Sequence, residues 1–177
     1  QGKFRVYFGT PDQGIFVSTA PHANGPWTLA KLVLDEGGWD DPCPFWDDDG
    51  TGYLVTTRFA PEGPRGTTYN IHLFKLSRRG DRVLKESDKI IHQSEGSEAN
   101  KLYKIDGLYY HYYSEVLHEG RVPMMERAAS MSGPWESHQL MHVDASVDKE
   151  PNQGGLVRSK SGKWYFLSHQ GYGDWEG

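Results

Sequence analysis

A glycine followed by an aromatic-rich segment recurs along the chain, and this repeat limits the folds open to it. The four copies are Gly2–Phe8, Gly50–Val55, Gly107–Tyr113 and Gly162–Leu167. A second phrase, Gly-Pro-Trp, begins at Gly25 and again at Gly133, two repeats further on. The period is about 55 residues, and self-similarity of this length is typical of propellers and other repeat arrays. The chain is therefore predicted to repeat one small structural unit.

Each repeat is predicted to contain four short antiparallel strands. The first strand precedes the glycine turn, the aromatic segment forms the second, and two more strands follow. No apolar pattern keeps a helical spacing for three turns. Four-stranded antiparallel sheets are the blades of β-propellers. The predicted fold is thus all-β: a single partial propeller domain over residues 1–177, with repeats starting near residues 2, 50, 107 and 162.

The number of repeats predicts an incomplete propeller. Two whole repeats and two partial ones amount to about three blades, whereas propellers have about four to eight. We therefore expect a partial propeller. Its open sheet edges are candidates for self-association, because an unpaired edge strand can pair with another chain.

Charge and hydropathy exclude several classes of partner. The net charge is -5 and no basic run occurs, which argues against nucleic acid. No apolar stretch approaches the roughly 18 residues of a membrane span, so no membrane association is expected. The single cysteine, Cys43, excludes an internal disulfide. A neutral oligosaccharide or polysaccharide is compatible with this composition.

The block from Trp39 to Gly50 combines acidic, aromatic and proline residues. Its twelve positions contain five Asp, two Trp and two Pro. Pro42 follows Asp41, and a residue before proline favours an extended backbone, so Asp41 is predicted to be held in one extended pose. Trp39 is predicted to be a partly exposed platform for a sugar, and Trp46 a packing residue. The run of three aspartates before Gly50 is predicted to form a solvated turn rather than a metal site.

Five ordered motifs together resemble glycoside hydrolase family 43. They begin with the block from Asp41 to Tyr53 and the phrase Glu98-Ala-Asn-Lys-Leu-Tyr-Lys104, which Asp106-Gly107 follows. The remaining three are Arg127–Glu136, Gln153–Val157 and Trp164–Gln170. The family contains β-xylosidases, α-L-arabinofuranosidases and arabinanases on a five-bladed propeller. The resemblance covers nearly the whole chain and implies the same fold type.

The resemblance also implies roles for two carboxylates. Asp41, before proline, matches the aspartate that orients the general acid and tunes its pKa. Glu98 matches the general acid, although Asn100-Lys101 stand where Pro-His is usual. Glu98 comes one repeat after Asp41, so the two are expected at equivalent positions of adjacent blades. An ionised Asp41 is expected to raise the pKa of Glu98 by like-charge repulsion. Glu95 is the competing candidate for the acid.

The family's general base is not found in this sequence. It belongs to an Ala-Asp-Pro phrase on the first blade, and no such phrase precedes Asp41. The arginine that typically follows the glycine matched by Gly177 is also absent. We therefore expect that the first blade is missing from this sequence, and that the base comes from outside it or is lacking.

Further residues are expected to contact sugar or a metal. His169 ends an aromatic strand, where the family often places a histidine near a bound calcium or water; a hydrogen-bonded buried histidine is the equally weighted alternative. No other cofactor is expected. The predicted substrate-binding residues are Trp39, Phe45, Arg127, Gln153 and His169.

The resemblance implies an inverting glycoside hydrolase that removes arabinofuranosyl or xylosyl units from plant polysaccharide or oligosaccharides. The alternative is a non-catalytic carbohydrate-binding remnant that lacks the general base, so enzymatic activity itself stays open. A third hypothesis is a structural piece that needs a partner chain to close its sheets. Arabinofuranoside and xyloside are not distinguished. The compartment also stays open, with a secreted or periplasmic location favoured over the cytoplasm.

Overall fold

The computed structural model describes residues 2–63, 66–118, 120–141 and 149–172. These ranges contain thirteen β-strands and no helix, and hence no helix suited to crossing a membrane. The strands are β1 (Phe4–Thr10), β2 (Gly14–Ala20), β3 (Lys31–Asp35), β4 (Trp39–Trp46), β5 (Gly52–Gly63), β6 (Gly66–Leu76), β7 (Val83–Ser94), β8 (Glu98–Ile105), β9 (Leu108–Leu117), β10 (Gly120–Ala128), β11 (Glu136–Gln139), β12 (Lys149–Arg158) and β13 (Trp164–Tyr172).

The chain forms two compact units, residues 1–93 and residues 94–177. The first contains a three-stranded sheet, β1-β2-β3, and the four-stranded sheet β4-β5-β6-β7. The second contains the four-stranded sheet β11-β10-β9-β8 and the two-stranded sheet β12-β13. Consecutive strands are neighbours in every sheet. This arrangement confirms the predicted four strands per repeat, with two whole repeats and two partial ones.

The repeated glycines close the turn between the first two strands of a repeat. Gly50, Gly107 and Gly162 have φ of 84°, 80° and 85°, a conformation that glycine adopts without steric cost. In the first of these turns the Gly50 N–H donates to the carbonyl of Asp47 at 2.9 Å. The Thr51 N–H donates to Oδ1 of Asp49 at 2.8 Å. The aspartate run is therefore a hydrogen-bonded turn, as predicted.

The first unit has an aliphatic and aromatic core. Ile15, Leu34 and Leu54 are almost wholly buried there. Tyr7 is also buried, and its hydroxyl donates to the carbonyl of Gly80. Burial raises the pKa of Tyr7 to about 12. Trp46 packs against this core and its ring lies 6.4 Å from that of Tyr7, which confirms its predicted packing role.

The core of the second unit is more polar. Tyr112, Tyr113 and Val122 are fully buried, and so are His111 and Asn100. Burial raises the pKa of Tyr112 to about 12. Buried polar groups are expensive unless they bond to one another. The second unit thus has a core in which specific hydrogen bonds must form.

Candidate active site

The same irregularity occurs in β4, β8 and β12, each of which is the first strand of its repeat. Pairing with the second strand is interrupted between Asp40 and Cys43, between Glu98 and Lys101, and between Asn152 and Gly154. One residue at each interruption has a left-handed backbone: Asp41 with φ 47°, Ala99 with φ 67° and Gln153 with φ 39°. Bulges of this kind redirect side chains and are common beside active sites. The repeat therefore carries a bulge at the place where the candidate catalytic residues lie.

The conformation of Asp41 differs from the predicted extended pose. Proline at position 42 disfavours the right-handed helical region for Asp41 but leaves the bulge to decide between the remaining conformations. Aspartate is one of the few side chains that tolerate a left-handed backbone. The Asp41 N–H donates to Oδ1 of Asp40 at 2.9 Å, and the Thr56 hydroxyl donates to the carbonyl of Asp40 at 2.7 Å. The prediction of an extended Asp41 is wrong.

The bulges also correct the expected equivalence of Asp41 and Glu98. Asp40, Glu98 and Asn152 are the last regularly paired residues before the three bulges, opposite Thr57, Ser114 and His169. Glu98 therefore corresponds to Asp40, and Asp41 corresponds to Ala99. The spacing of the two carboxylates in the sequence identified the right repeat, but it missed the register by a single position.

Glu98 forms a nearly buried ion pair. Its Oε1 lies 2.9 Å from Nη1 of Arg121, with 13% and 10% of the two side chains exposed. The same Arg121 nitrogen lies 3.4 Å from the carbonyl of Gly96, to which it donates. Glu95, the competing candidate for the acid, is exposed and lies outside the strand. The structure thus holds Glu98, not Glu95, in a defined environment.

Sequence reasoning chose the wrong arginine on β10. Strands β8 and β10 run parallel on either side of β9, so their N-terminal ends share one edge of the sheet. Arg121 is at the N-terminal end of β10, whereas Arg127 is at its C-terminal end and pairs with Tyr110. Tyr110 is four residues along β9 from Ser114, the partner of Glu98. The pair formed by Arg127 and Tyr110 is therefore about 13 Å along the strands from the pair formed by Glu98 and Ser114. Arg127 is exposed and pairs with Glu136 at 3.5 Å, so the prediction that it lines the pocket is wrong.

Trp39 is a core residue rather than an exposed platform. Only 5% of it is exposed. Its ring makes T-shaped contacts with His72 and Phe74, with ring centroids 4.9 and 5.5 Å apart, and the Arg58 guanidinium lies over it, 4.7 Å from the centroid. The flanking acids suggested exposure, but the first strand of this repeat begins at Trp39, and its side chain points into the first unit. The prediction of a sugar platform at Trp39 is wrong.

The model of the family described as Glycosyl hydrolases family 43 matches residues 1–176. The chain belongs to this family. The resemblance seen in the sequence motifs is thereby confirmed over almost the whole chain.

Two curated relatives have names that contain the word xylosidase. A "Putative beta-xylosidase" of Xylanibacter ruminicola is 34% identical over 173 residues, which cover 96% of this chain and 31% of the relative. A "Xylosidase/arabinosidase" of Butyrivibrio fibrisolvens is 35% identical over 180 residues, covering 87% of this chain and 32% of the relative. The chain thus spans about a third of the length of these relatives.

Solved structures establish the fold of this family-43 chain. The crystal structure of xylan beta-1,4-xylosidase from Bacillus halodurans matches with a TM-score of 0.82 at 23% identity, covering 97% of this chain and 36% of that one. Together with the four-stranded antiparallel sheets, this similarity confirms an all-β fold of the propeller type. The open sheets fit a partial propeller.

The remaining predicted site residues of this family-43 chain occupy defined backbone positions. Gln153 is the bulge residue of β12, and Phe45 pairs with Tyr53 between the β4 bulge and the following turn. The backbone of His169 pairs with that of Asn152, the residue of β12 that corresponds to Glu98 in β8. The His169 side chain lies outside the described residues. A calcium ion or water near it, and sugar contacts of Phe45 and Gln153, stay predictions.

Proposed function

We propose that the protein is an inverting glycoside hydrolase that removes arabinofuranosyl or xylosyl units from plant polysaccharide or oligosaccharides. Family membership and the names of two relatives, a beta-xylosidase and a xylosidase/arabinosidase, support this proposal. The substrate would be a xylo- or arabino-oligosaccharide.

The observation that carries the proposal is the environment of Glu98. An inverting glycosidase needs one carboxylic acid to protonate the leaving oxygen and another carboxylate to activate water on the opposite face of the sugar. Glu98 is at a bulge, is mostly shielded from solvent and is held by Arg121 at 2.9 Å. A carboxyl group fixed in this way meets the positional demand on a general acid, which must lie within hydrogen-bond reach of the oxygen it protonates.

Arg121 by itself opposes the protonated state that a general acid needs. A guanidinium beside a carboxyl group stabilises the charged form, whereas a general acid must carry a proton when substrate is bound. We assign to Asp41 the opposing influence, since a nearby negative charge favours the protonated form of a carboxyl group. No carboxylate of this sequence is assigned as the general base, because no Ala-Asp-Pro phrase precedes Asp41.

The test is hydrolysis of an aryl α-L-arabinofuranoside and an aryl β-D-xyloside by the protein at its natural length. Proton NMR of the first-formed sugar would report its anomeric configuration. Glu98→Gln should reduce turnover of aryl glycosides whose leaving group needs protonation, such as methoxyphenyl, by about 100- to 10,000-fold, the usual contribution of general acid catalysis. Glu95→Gln is the matched control, because it makes the same chemical change at an exposed position on the same segment.

The proposal predicts turnover of at least one glycoside with inversion, loss of turnover in Glu98→Gln and unchanged turnover in Glu95→Gln. Retention of configuration, or equal activity of both variants, would contradict it. Sugar binding without turnover in the natural-length protein would favour a carbohydrate-binding role instead.

A further inference from the structure

A buried chain of polar side chains runs through the sheet that carries Glu98. Asn100 on β8 and His111 on β9 are fully buried, and Glu126 on β10 is 2% exposed. His111 Nε2 lies 3.0 Å from Oδ1 of Asn100, and His111 Nδ1 lies 3.0 Å from Oε2 of Glu126. The histidine therefore connects the first strand of the sheet to the third.

The chain continues to the fourth strand. Glu126 faces Tyr113, whose pKa is held far above its ordinary value, first by burial and then by the Glu126 charge. The Tyr113 hydroxyl lies 2.6 Å from the hydroxyl of Ser137 on β11. The ring of His111 stacks on that of Tyr113 with centroids 5.0 Å apart. The buried groups thus link all four strands of this sheet.

Both ring nitrogens of His111 have a side-chain partner. Nε2 lies beside Asn100 and Nδ1 lies beside the carboxylate of Glu126. A fully buried histidine beside a buried carboxylate is an expensive way to fill a core, because replacing buried polar or ionic pairs with apolar side chains is often neutral or stabilising. Stability alone therefore explains the network poorly, which points to a role in fixing the local backbone.

The network ends on the bulge that presents Glu98. Asn100 is the second of the two residues between the regularly paired Glu98 and Lys101, and it follows the left-handed Ala99. Because the register shifts here, the ladder alone does not set the direction in which Glu98 leaves the strand. The Asn100 side chain anchors this segment from within the sheet, while Arg121 binds the Glu98 carboxylate directly.

We propose that His111, held between Asn100 and Glu126, is a positioning residue that fixes the β8 bulge and thereby aims the Glu98 carboxyl group at the leaving oxygen. This inference rests on the proposed role of Glu98 as general acid. His111 itself touches neither the substrate nor the reacting atoms.

The test compares two substrates that differ in their need for an acid. A strongly acidic phenol such as dinitrophenol leaves the sugar with little protonation of its oxygen. Methoxyphenol, a much weaker acid, leaves only when that oxygen is protonated. The test variants are His111→Gln and Asn100→Ala; the second removes one end of the network and leaves His111 and Glu126 paired. Tyr103→Phe is the control, since it removes a partly buried hydrogen bond of the same strand, 2.7 Å long and donated by the Leu156 N–H to the Tyr103 hydroxyl, away from the bulge.

The inference predicts that both test variants lower kcat on the methoxyphenyl substrate by about 100-fold, as a misplacement of about 1 Å can, and on the dinitrophenyl substrate by less than about threefold. Tyr103→Phe should change both substrates by the same factor. Equal effects of the test variants on the two substrates, or no effect, would overturn the inference. If His111→Gln does not fold, the comparison of the two substrates in Asn100→Ala alone tests the inference.

A second measurement keeps this inference separate from the proposed function. Glu98→Gln should show the same leaving-group dependence; if it does not, the acid assignment fails. Amide NMR then tests, independently of catalysis, whether the network fixes the β8 bulge. The signals of residues 98–101 should broaden or double in the two test variants and stay single in Tyr103→Phe, whereas unchanged signals in the test variants would refute the positioning role.

Discussion

Nη1 of Arg121 lies 2.9 Å from Oε1 of Glu98, and this contact joins the N-terminal ends of the first and third strands of one sheet. Both side chains are nearly buried. Removing one partner of such a pair leaves an unpaired buried charge, which costs about 3–5 kcal/mol in known cases. Arg121 is therefore expected to affect both the fold and the proton that Glu98 must carry.

Replacing Arg121 with methionine should move the alkaline limb of the rate profile to higher pH. The guanidinium stabilises the ionised form of Glu98, so without it the carboxyl group keeps its proton to higher pH. The measurement is kcat/KM on an aryl glycoside between pH 4 and 9. Arg127→Met is the control, because this exposed arginine of the same strand pairs with Glu136 instead. A limb that does not move in Arg121→Met, or moves equally in Arg127→Met, would contradict the role given to the ion pair.

Truncating Trp39 should destabilise the protein far more than truncating Trp27. Trp39 is 5% exposed and contacts three side chains, whereas Trp27 is 40% exposed. Trp39→Ala is expected to cost about 3–5 kcal/mol in the free energy of unfolding, as large core truncations do. Trp27→Ala should cost at least about 2 kcal/mol less, because surface substitutions have small effects. Urea denaturation compares the two, and equal losses would contradict the core role of Trp39.

Repeats and turns were predictable from the sequence because they depend on local chemistry. The recurring glycines marked the turns, and Gly50, Gly107 and Gly162 have the positive φ that such turns require. The segments between them then had to be strands, since their apolar residues lack helical spacing. Glu98 was selected through the resemblance of its phrase to family 43, and its place in this repeat supported the choice.

The side-chain environment was less predictable, because it depends on which residues of different strands meet. Arg121 and Arg127 are on the same strand, and only the parallel relation of β8 and β10 distinguishes them. Asp41 and Trp39 were judged from their sequence neighbours, although the bulge sets the backbone of the first and core packing buries the second. The partners of His111 are distant in the sequence, on the strands to either side, so no short motif reveals them.

Stability should fall as the pH rises from about 10 to 12, in part because of Tyr7. Burial raises its pKa to about 12 in the folded chain, from the ordinary value of 10.0. The unfolded chain therefore loses the proton at lower pH, and the stabilisation is intact below pH 10 and lost as the pH approaches 12. A shift of this size corresponds to about 2–3 kcal/mol.

Tyr7→Phe should flatten this pH dependence, measured by urea denaturation at several pH values between 9 and 12. Tyr112, whose pKa is also raised to about 12, should leave a residual slope. Tyr165→Phe, at a tyrosine that is 47% exposed, is the control and should leave the slope unchanged. An identical slope in the wild type and Tyr7→Phe would count against the buried phenol.

The most direct test of the central claim measures turnover and sugar binding in the same pair of variants of the natural-length protein. Glu98→Gln should lose about 100-fold or more in the hydrolysis of the methoxyphenyl glycoside, whose leaving group needs a proton, while calorimetry gives a Kd for the oligosaccharide within about threefold of the wild type. Glu95→Gln should match the wild type in both. Full turnover in Glu98→Gln would contradict the account, because the carboxyl group that Arg121 holds would then not be the acid.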